Sequence, residues 1–135
     1  EAQRIWSNHH QALNGSGLCM FSLLTGGLPY SRLINAATGW DMTDDEFLEA
    51  GERIQNMRHA FNVREGIKPA DFKAHPRMTG EVPLKHGPPA GVKVDQQKLK
   101  DMYFDAMDWD RESGRVSADR AKALGIHETL DGLVG

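Results

Sequence analysis

The chain has 135 residues, 39% of them hydrophobic and 26% charged, with a formal net charge of -3. That length holds the core of one ordinary domain, and that composition belongs to a soluble globular protein. The acidic balance argues against a nucleic-acid module, no apolar run is long enough to span a bilayer, and residues 1–11 lack the basic-then-apolar order of a signal peptide. A cytoplasmic protein with no membrane or nucleic-acid partner is the expectation. Cys19 is the only cysteine, which excludes an internal disulfide framework and any cysteine-only metal site closed within the chain. The sequence opens on Glu1 rather than Met, so residue 1 need not be the start of the natural polypeptide.

Residues 2–13, with Ile5, Trp6 and Leu13 and no breaker, predict a helix that Asn14-Gly15-Ser16-Gly17 ends. The apolar run 18–24 is too short for periodicity to assign. Pro29 fits the first turn of a second helix through Tyr30, Leu33, Ile34 and Ala37, with Gly39 as its stop. Thr43 with Glu46 forms a capping box. The helix behind it carries Phe47, Gly51, Ile54, Met57 and Phe61 on one stripe and ends at Gly66. Residues 67–94 hold Pro69, Pro76, Pro83, Pro88 and Pro89 and read as one extended connection, unusually long for a compact domain unless it lies against something larger. Asp95 caps a further helix with Leu99, Met102, Tyr103, Ala106 and Met107 on one face. A polar turn over 108–114 follows, then a short helix capped by Ser117 and stopped by Gly125, then a tail of one or two turns. The expected fold is therefore all-α: a multihelical bundle of five or six helices with a long Pro/Gly-rich loop.

No catalytic constellation emerges from the residues. The string after Asn14 lacks the final glycine of G-x-G-x-x-G and follows a helix, so it is no dinucleotide fingerprint. Asn14-Gly15-Ser16 is read as a chance glycosylation match. A lone cysteine such as Cys19 is by default a small buried hydrophobe; the functional alternative is a thiolate stabilised just after a glycine turn. The six histidines show no paired ligand spacing and read as surface or interface residues. Asp44, Asp45, Glu46, Glu49 and Glu52 are accounted for by a capped helix start. Arg53, Arg58 and Arg64 read as a solvated face, Met102 and Met107 as core, and Trp40 and Trp109 as packing anchors.

Four segments taken in order resemble the C-terminal region of the aldehyde ferredoxin oxidoreductase family. Asn14-Gly15-Ser16-Gly17-Leu18-Cys19 is similar to the family's D-x-x-G-L-C motif. Asn35-Ala36-Ala37-Thr38-Gly39-Trp40 precedes the helix with Glu49-Ala50-Gly51-Glu52-Arg53-Ile54, which runs into Phe61-Asn62-Val63-Arg64-Glu65-Gly66. Pro83-Leu84 leads to Gly87-Pro88-Pro89-Ala90-Gly91 and on to Asp95, Leu99 and Tyr103. Trp109-Asp110 and Ala123-Leu124-Gly125 close the series. Each motif is weak alone; the order and spacing together are specific.

The resemblance implies that residues 1–135 are a single C-terminal helical domain, a fragment of a larger oxidoreductase. Such an enzyme oxidises a small aldehyde to a carboxylic acid at a tungsten or molybdenum bis-pterin and passes electrons through a 4Fe-4S cluster to ferredoxin. It implies Cys19 as the cluster's fourth ligand, the other three lying upstream, and Asn14, Gly17 and Leu18 as cofactor-binding residues. Asn14 stands where the family has Asp, so an acceptor is kept, donors are added and the charge is lost. The partners implied are the N-terminal and middle domains of the same enzyme. One cysteine cannot hold a cubane cluster, so the isolated chain is expected to carry neither cofactor and to be inactive. Two alternatives remain open: an aromatic acyl-CoA reductase or 2-hydroxy-acid oxidoreductase subunit of the same family, and a stand-alone helical interaction module with Cys19 buried in its core.

Overall fold

The computed structural model describes residues 1–25 and 27–135. Six α-helices form among them: α1 (Ala2–Gly15), α2 (Tyr30–Thr38), α3 (Asp44–Arg64), α4 (Pro76–Thr79), α5 (Gln96–Met107) and α6 (Ala118–Ala123). Two 3-10 segments, Met20–Thr25 and Pro69–Asp71, complete the order, and no strand forms among the described residues. The all-α expectation holds. The unassigned apolar run enters the first 3-10 segment at Met20, leaving Leu18 and Cys19 before it, and the long connection contains the second 3-10 segment and α4.

Local chemistry sets the helix ends. Thr43 Oγ1 accepts the Glu46 amide at 3.2 Å while the Glu46 carboxylate accepts the Thr43 amide at 2.8 Å, the reciprocal pair that starts α3. Asp95 and Ser117 cap α5 and α6 by accepting the amides of Lys98 and Arg120. Pro29 is the N-cap of α2 rather than its first residue, and Gly39 at φ +76° ends that helix.

The long helix α3 is the spine, and it buries different faces along its length. Phe47 joins Ala12, Leu13 and Tyr30 in one core at its start. Ala60 joins Phe104, Met107, Trp109, Val116, Ala121, Leu124, Ile126 and Leu130 in a second core at its end. At 3.6 residues per turn, Phe47 and Ala60 lie about 140° apart around the axis. The predicted stripe therefore fails beyond its middle: Ile54 is half-buried, while Met57 and Phe61 are exposed, and Glu52, Asn56 and His59 are buried instead. The same correction holds on α5, where Met107 is core but Leu99 and Met102 are exposed, with Phe104 turned inward. Periodicity shows that a face is apolar, not what covers it.

α1 crosses α3 at Gly51, where an added Cβ would stand 1.9 Å from the Asn8 carbonyl oxygen. Only glycine lets the two backbones approach this closely. The Pro-rich connection is pinned by Val94 N–H donating to the Thr79 carbonyl at 2.8 Å and by Lys100 Nζ donating to the Pro69 carbonyl at 3.0 Å. Beyond α5, Asp108 takes a left-handed conformation at φ 54°, and Trp109 and Val134 each bridge to Val116, which ties the tail into the second core.

Candidate functional site

The motif singled out in the sequence sits at the C-terminal end of α1. The Ser16 amide donates to the Ala12 carbonyl at 3.0 Å and its hydroxyl to the Leu13 carbonyl at 2.7 Å, closing the helix. Gly17, at φ +78°, turns the chain, and its amide donates to the Asn14 carbonyl at 3.2 Å. Leu18 and Leu23 pack onto the first core and hold the loop from beneath. Between them Cys19 is exposed, and its carbonyl accepts the Ser22 amide at 3.0 Å as the 3-10 segment begins. Asn14 is exposed too. Structure thus places Asn14 on the last turn of α1 and Gly17, Leu18 and Cys19 on the loop that follows, with Leu18 as anchor and the other three exposed.

An exposed Cys19 corrects the default of a buried hydrophobe, and a self-contained module would have buried it. Apolar side chains surround it without cover: Met20, Phe21 and Leu24 are 44%, 68% and 81% exposed. Next to the loop lies a cleft of 410 Å³ walled by Leu18, Leu33, Ile34, Trp40 and Ile54. Trp40, expected to anchor packing, is largely exposed at this cleft, whereas Trp109 is buried as expected. Exposed apolar side chains thus gather at the loop and at the cleft beside it.

Among the described residues no group of three or more His, Cys, Asp or Glu could hold a metal ion, so a metal here needs ligands from elsewhere. No described helix is long and apolar enough to cross a membrane.

Polar residues that the sequence reading passed over fill the space between the cores. Glu52 is buried and pairs with Arg4 at 2.8 Å on one oxygen and with Arg120 Nε at 2.8 Å on the other. Asn56 accepts the Trp109 indole N–H at 2.7 Å. His59 is buried rather than superficial: its ring stacks on Trp109 with centroids 3.5 Å apart, and Nε2 meets the Gly114 carbonyl at 2.7 Å. Burial pushes its pKa down, against a smaller upward pull from that carbonyl. Glu52, Asn56 and His59 recur at helical spacing, a signal that was present but reads as solvated surface when polar. Arg53, too, is only partly solvated, since it donates to the Leu124 carbonyl at 2.9 Å.

Comparison with known proteins agrees with this arrangement. The family profile described as aldehyde ferredoxin oxidoreductase, domains 2 & 3, matches residues 1–126. The tungsten-containing aldehyde ferredoxin oxidoreductase of Thermococcus kodakarensis is 34% identical over 119 residues, 87% of this chain and 20% of that protein. The enzyme of the same name from Pyrococcus furiosus is 34% identical over 117 residues, 86% of this chain and 19% of that protein. The chain spans about a fifth of the length of these curated relatives. With residues 1–126 of its 135 matched by that profile, the chain belongs to the aldehyde ferredoxin oxidoreductase family.

Proposed function

We propose that residues 1–135 form the C-terminal helical domain of a tungsten-pterin aldehyde oxidoreductase, and that Cys19 is the fourth thiolate ligand of its 4Fe-4S cluster. One observation carries the reading: Cys19 projects from a glycine turn anchored by Leu18, in a chain similar over most of its length to tungsten-containing aldehyde ferredoxin oxidoreductases. In the reaction, an aldehyde and water yield a carboxylic acid, two protons and two electrons, and the electrons leave singly for ferredoxin. The metal-pterin group, when bound, supplies the two-electron oxidation.

The loop's own residues suit such neighbours. Cys19 offers an exposed sulfur, and thiolates are the usual ligands of these clusters. Nothing lies within 4 Å of a Cβ built on Gly17, so the backbone there is open to a bulky group. Asn14 presents an amide with one acceptor and two donor hydrogens to the polar edge of a pterin. Met20, Phe21 and Leu24 would exclude water from the cluster once covered by the rest of the polypeptide, and a dry surround strengthens the electrostatics of a redox site.

The test is Cys19→Ala in the full-length protein, purified without oxygen. Iron and sulfide should fall together, with loss of the cluster's electron paramagnetic resonance signal on reduction, while tungsten is retained. A variant that keeps its whole iron and sulfide complement would remove Cys19 from the ligand set.

A further inference from the structure

A second cleft, of 560 Å³, opens beside the first half of α1, where that helix faces the starts of α2 and α3. It is separate from the cysteine loop: Trp6 on its wall lies eight residues before Asn14, about 12 Å along the helix axis. Its interior is aromatic. The His9 ring stands edge-on to both Tyr30, at 5.3 Å, and Phe47, at 5.6 Å, and those two rings are nearly parallel. Trp6, 53% exposed, forms the outer wall, with Ile5 and Leu28 beside it.

One full negative charge lines this cleft. Asp44 accepts a hydrogen bond from the Ser31 hydroxyl, and among the described residues no ion pair reaches it. No lysine or arginine lines the walls. His9 Nδ1 is buried there without a hydrogen-bond partner. Burial, helped by neighbouring His10, holds the His9 pKa below its ordinary value, so the ring is neutral at neutral pH and repels no cation.

An apolar trough with aromatic walls and a carboxylate at its rim complements one kind of group: a long aliphatic stem ending in a cation. The stem packs on Ile5 and Leu28, and the head sits over the exposed Trp6 ring and beside the carboxylate. We infer that this cleft receives an arginine or lysine side chain from the part of the polypeptide outside residues 1–135, docking that part against α1 and α3. This rests on the reading of residues 1–135 as one domain of a longer enzyme: the relatives are about five times as long, and the cleft's rim is apolar surface left uncovered. A free anion is excluded by Asp44, and an apolar side chain would leave that carboxylate facing a covered, cation-free cleft.

Chemical footprinting of the full-length protein tests this, with phenylglyoxal for arginines and acetic anhydride for lysines, read by mass spectrometry. Trp6→Leu and Asp44→Asn alter two exposed side chains and keep the helices, which circular dichroism verifies. One arginine or lysine outside residues 1–135 should be protected in the parent protein and gain reactivity about thirtyfold in both variants, the scale of one desolvated cation–π contact. If none changes, the cleft holds an apolar group or nothing, and the inference is overturned. A change in Asp44→Asn alone marks an ordinary surface ion pair and overturns it equally. Iron content reports on the Cys19 assignment and is independent of both outcomes.

Discussion

Replacing Gly51 by alanine sets two effects in opposition. Alanine is the better helix former by about 1 kcal/mol, so propensity alone makes Gly51→Ala stabilising. Packing says the reverse. The new methyl would lie 1.9 Å from the Asn8 carbonyl oxygen, 2.7 Å from its carbon and 3.0 Å from Ala12 Cβ. A carbon–oxygen contact needs about 3.3 Å, so α1 must retreat by about 1.4 Å. A gap of about 0.5–1 Å already forfeits a quarter to a half of a dispersion contact, and the Leu13 and Phe47 side chains of the first core lose theirs as the helices part. Overpacking costs about 1–3 kcal/mol; the obstacle here is backbone, which cannot rotate away, so the upper end applies. After the propensity gain the net loss is about 2 kcal/mol, which for a chain of this size lowers the melting temperature by about 8 °C. Thermal unfolding followed at 222 nm measures it. A Gly51→Ala chain that melts at or above the parent would show that the helices do not meet at this point, and the account of the α1–α3 crossing would be wrong. In the full-length protein the same change should lower iron occupancy, because the cysteine loop hangs from the displaced end of α1.

Other perturbations probe the polar layer and the loop. Asn56→Leu strands the buried Trp109 indole N–H and should cost about 2 kcal/mol by urea unfolding; an unchanged midpoint would mean that the 2.7 Å bond is not made. Glu52→Gln leaves Arg120 short of its counter-charge, while Arg4 keeps Glu1 at 2.7 Å. The expected loss is about 2 kcal/mol, below the figure for a fully buried pair because Arg4 and Arg120 keep some solvent contact, and a double-mutant cycle with Arg120→Met should show coupling; zero coupling refutes the pair. His59 and His9 both have pKa values depressed by burial, so the unfolded chain binds more protons than the folded one over the titration range. Stability is then full above the ordinary histidine value of about 6.5, falls as pH drops from there toward the lower folded values and levels off below them; His59→Phe should flatten that slope, and an unaltered slope assigns it elsewhere. The Cys19 thiol of the folded 135-residue chain should react fully with a disulfide reagent without denaturant, and a protected thiol would contradict its exposure.

Much of the fold was legible because helix ends are local chemistry. Thr43 with Glu46, Asp95 and Ser117 mark starts, and Gly39 and Gly125 mark stops, each by hydrogen bonds or dihedral angles that involve only near neighbours. What the helices face is not local. Nothing near Glu52 announces Arg4 and Arg120, which are 48 and 68 residues away in the chain. Likewise Met57, Phe61, Leu99 and Met102 have the spacing of core residues but lie exposed, because spacing cannot say whether the partner surface belongs to these 135 residues or to more of the polypeptide. The loop of Asn14 to Cys19 was recognisable by its residue order, yet its geometry was not: the glycine turn and the Leu18 anchor together decide that Cys19 faces outward.

The buried polar layer also explains how the two cores act together. Phe47 and Ala60 serve separate clusters on different sides of α3, so hydrophobic packing alone would leave the α1 end free to shift relative to the C-terminal end. Glu52 lies between them and binds Arg4 of α1 through one oxygen and Arg120 of α6 through the other. A carboxylate held this way is a poor source of net stability, since desolvation offsets most of its attraction. Its contribution is to position: a hydrophobic replacement could slide along α3, whereas a charge with two directional partners fixes one arrangement. The cysteine loop is the extension of the helix so fixed. Loss of Glu52 should therefore disturb the loop more than its modest stability cost implies, whereas an equal loss of stability from trimming Leu130, deep in the second core, should leave the loop in place.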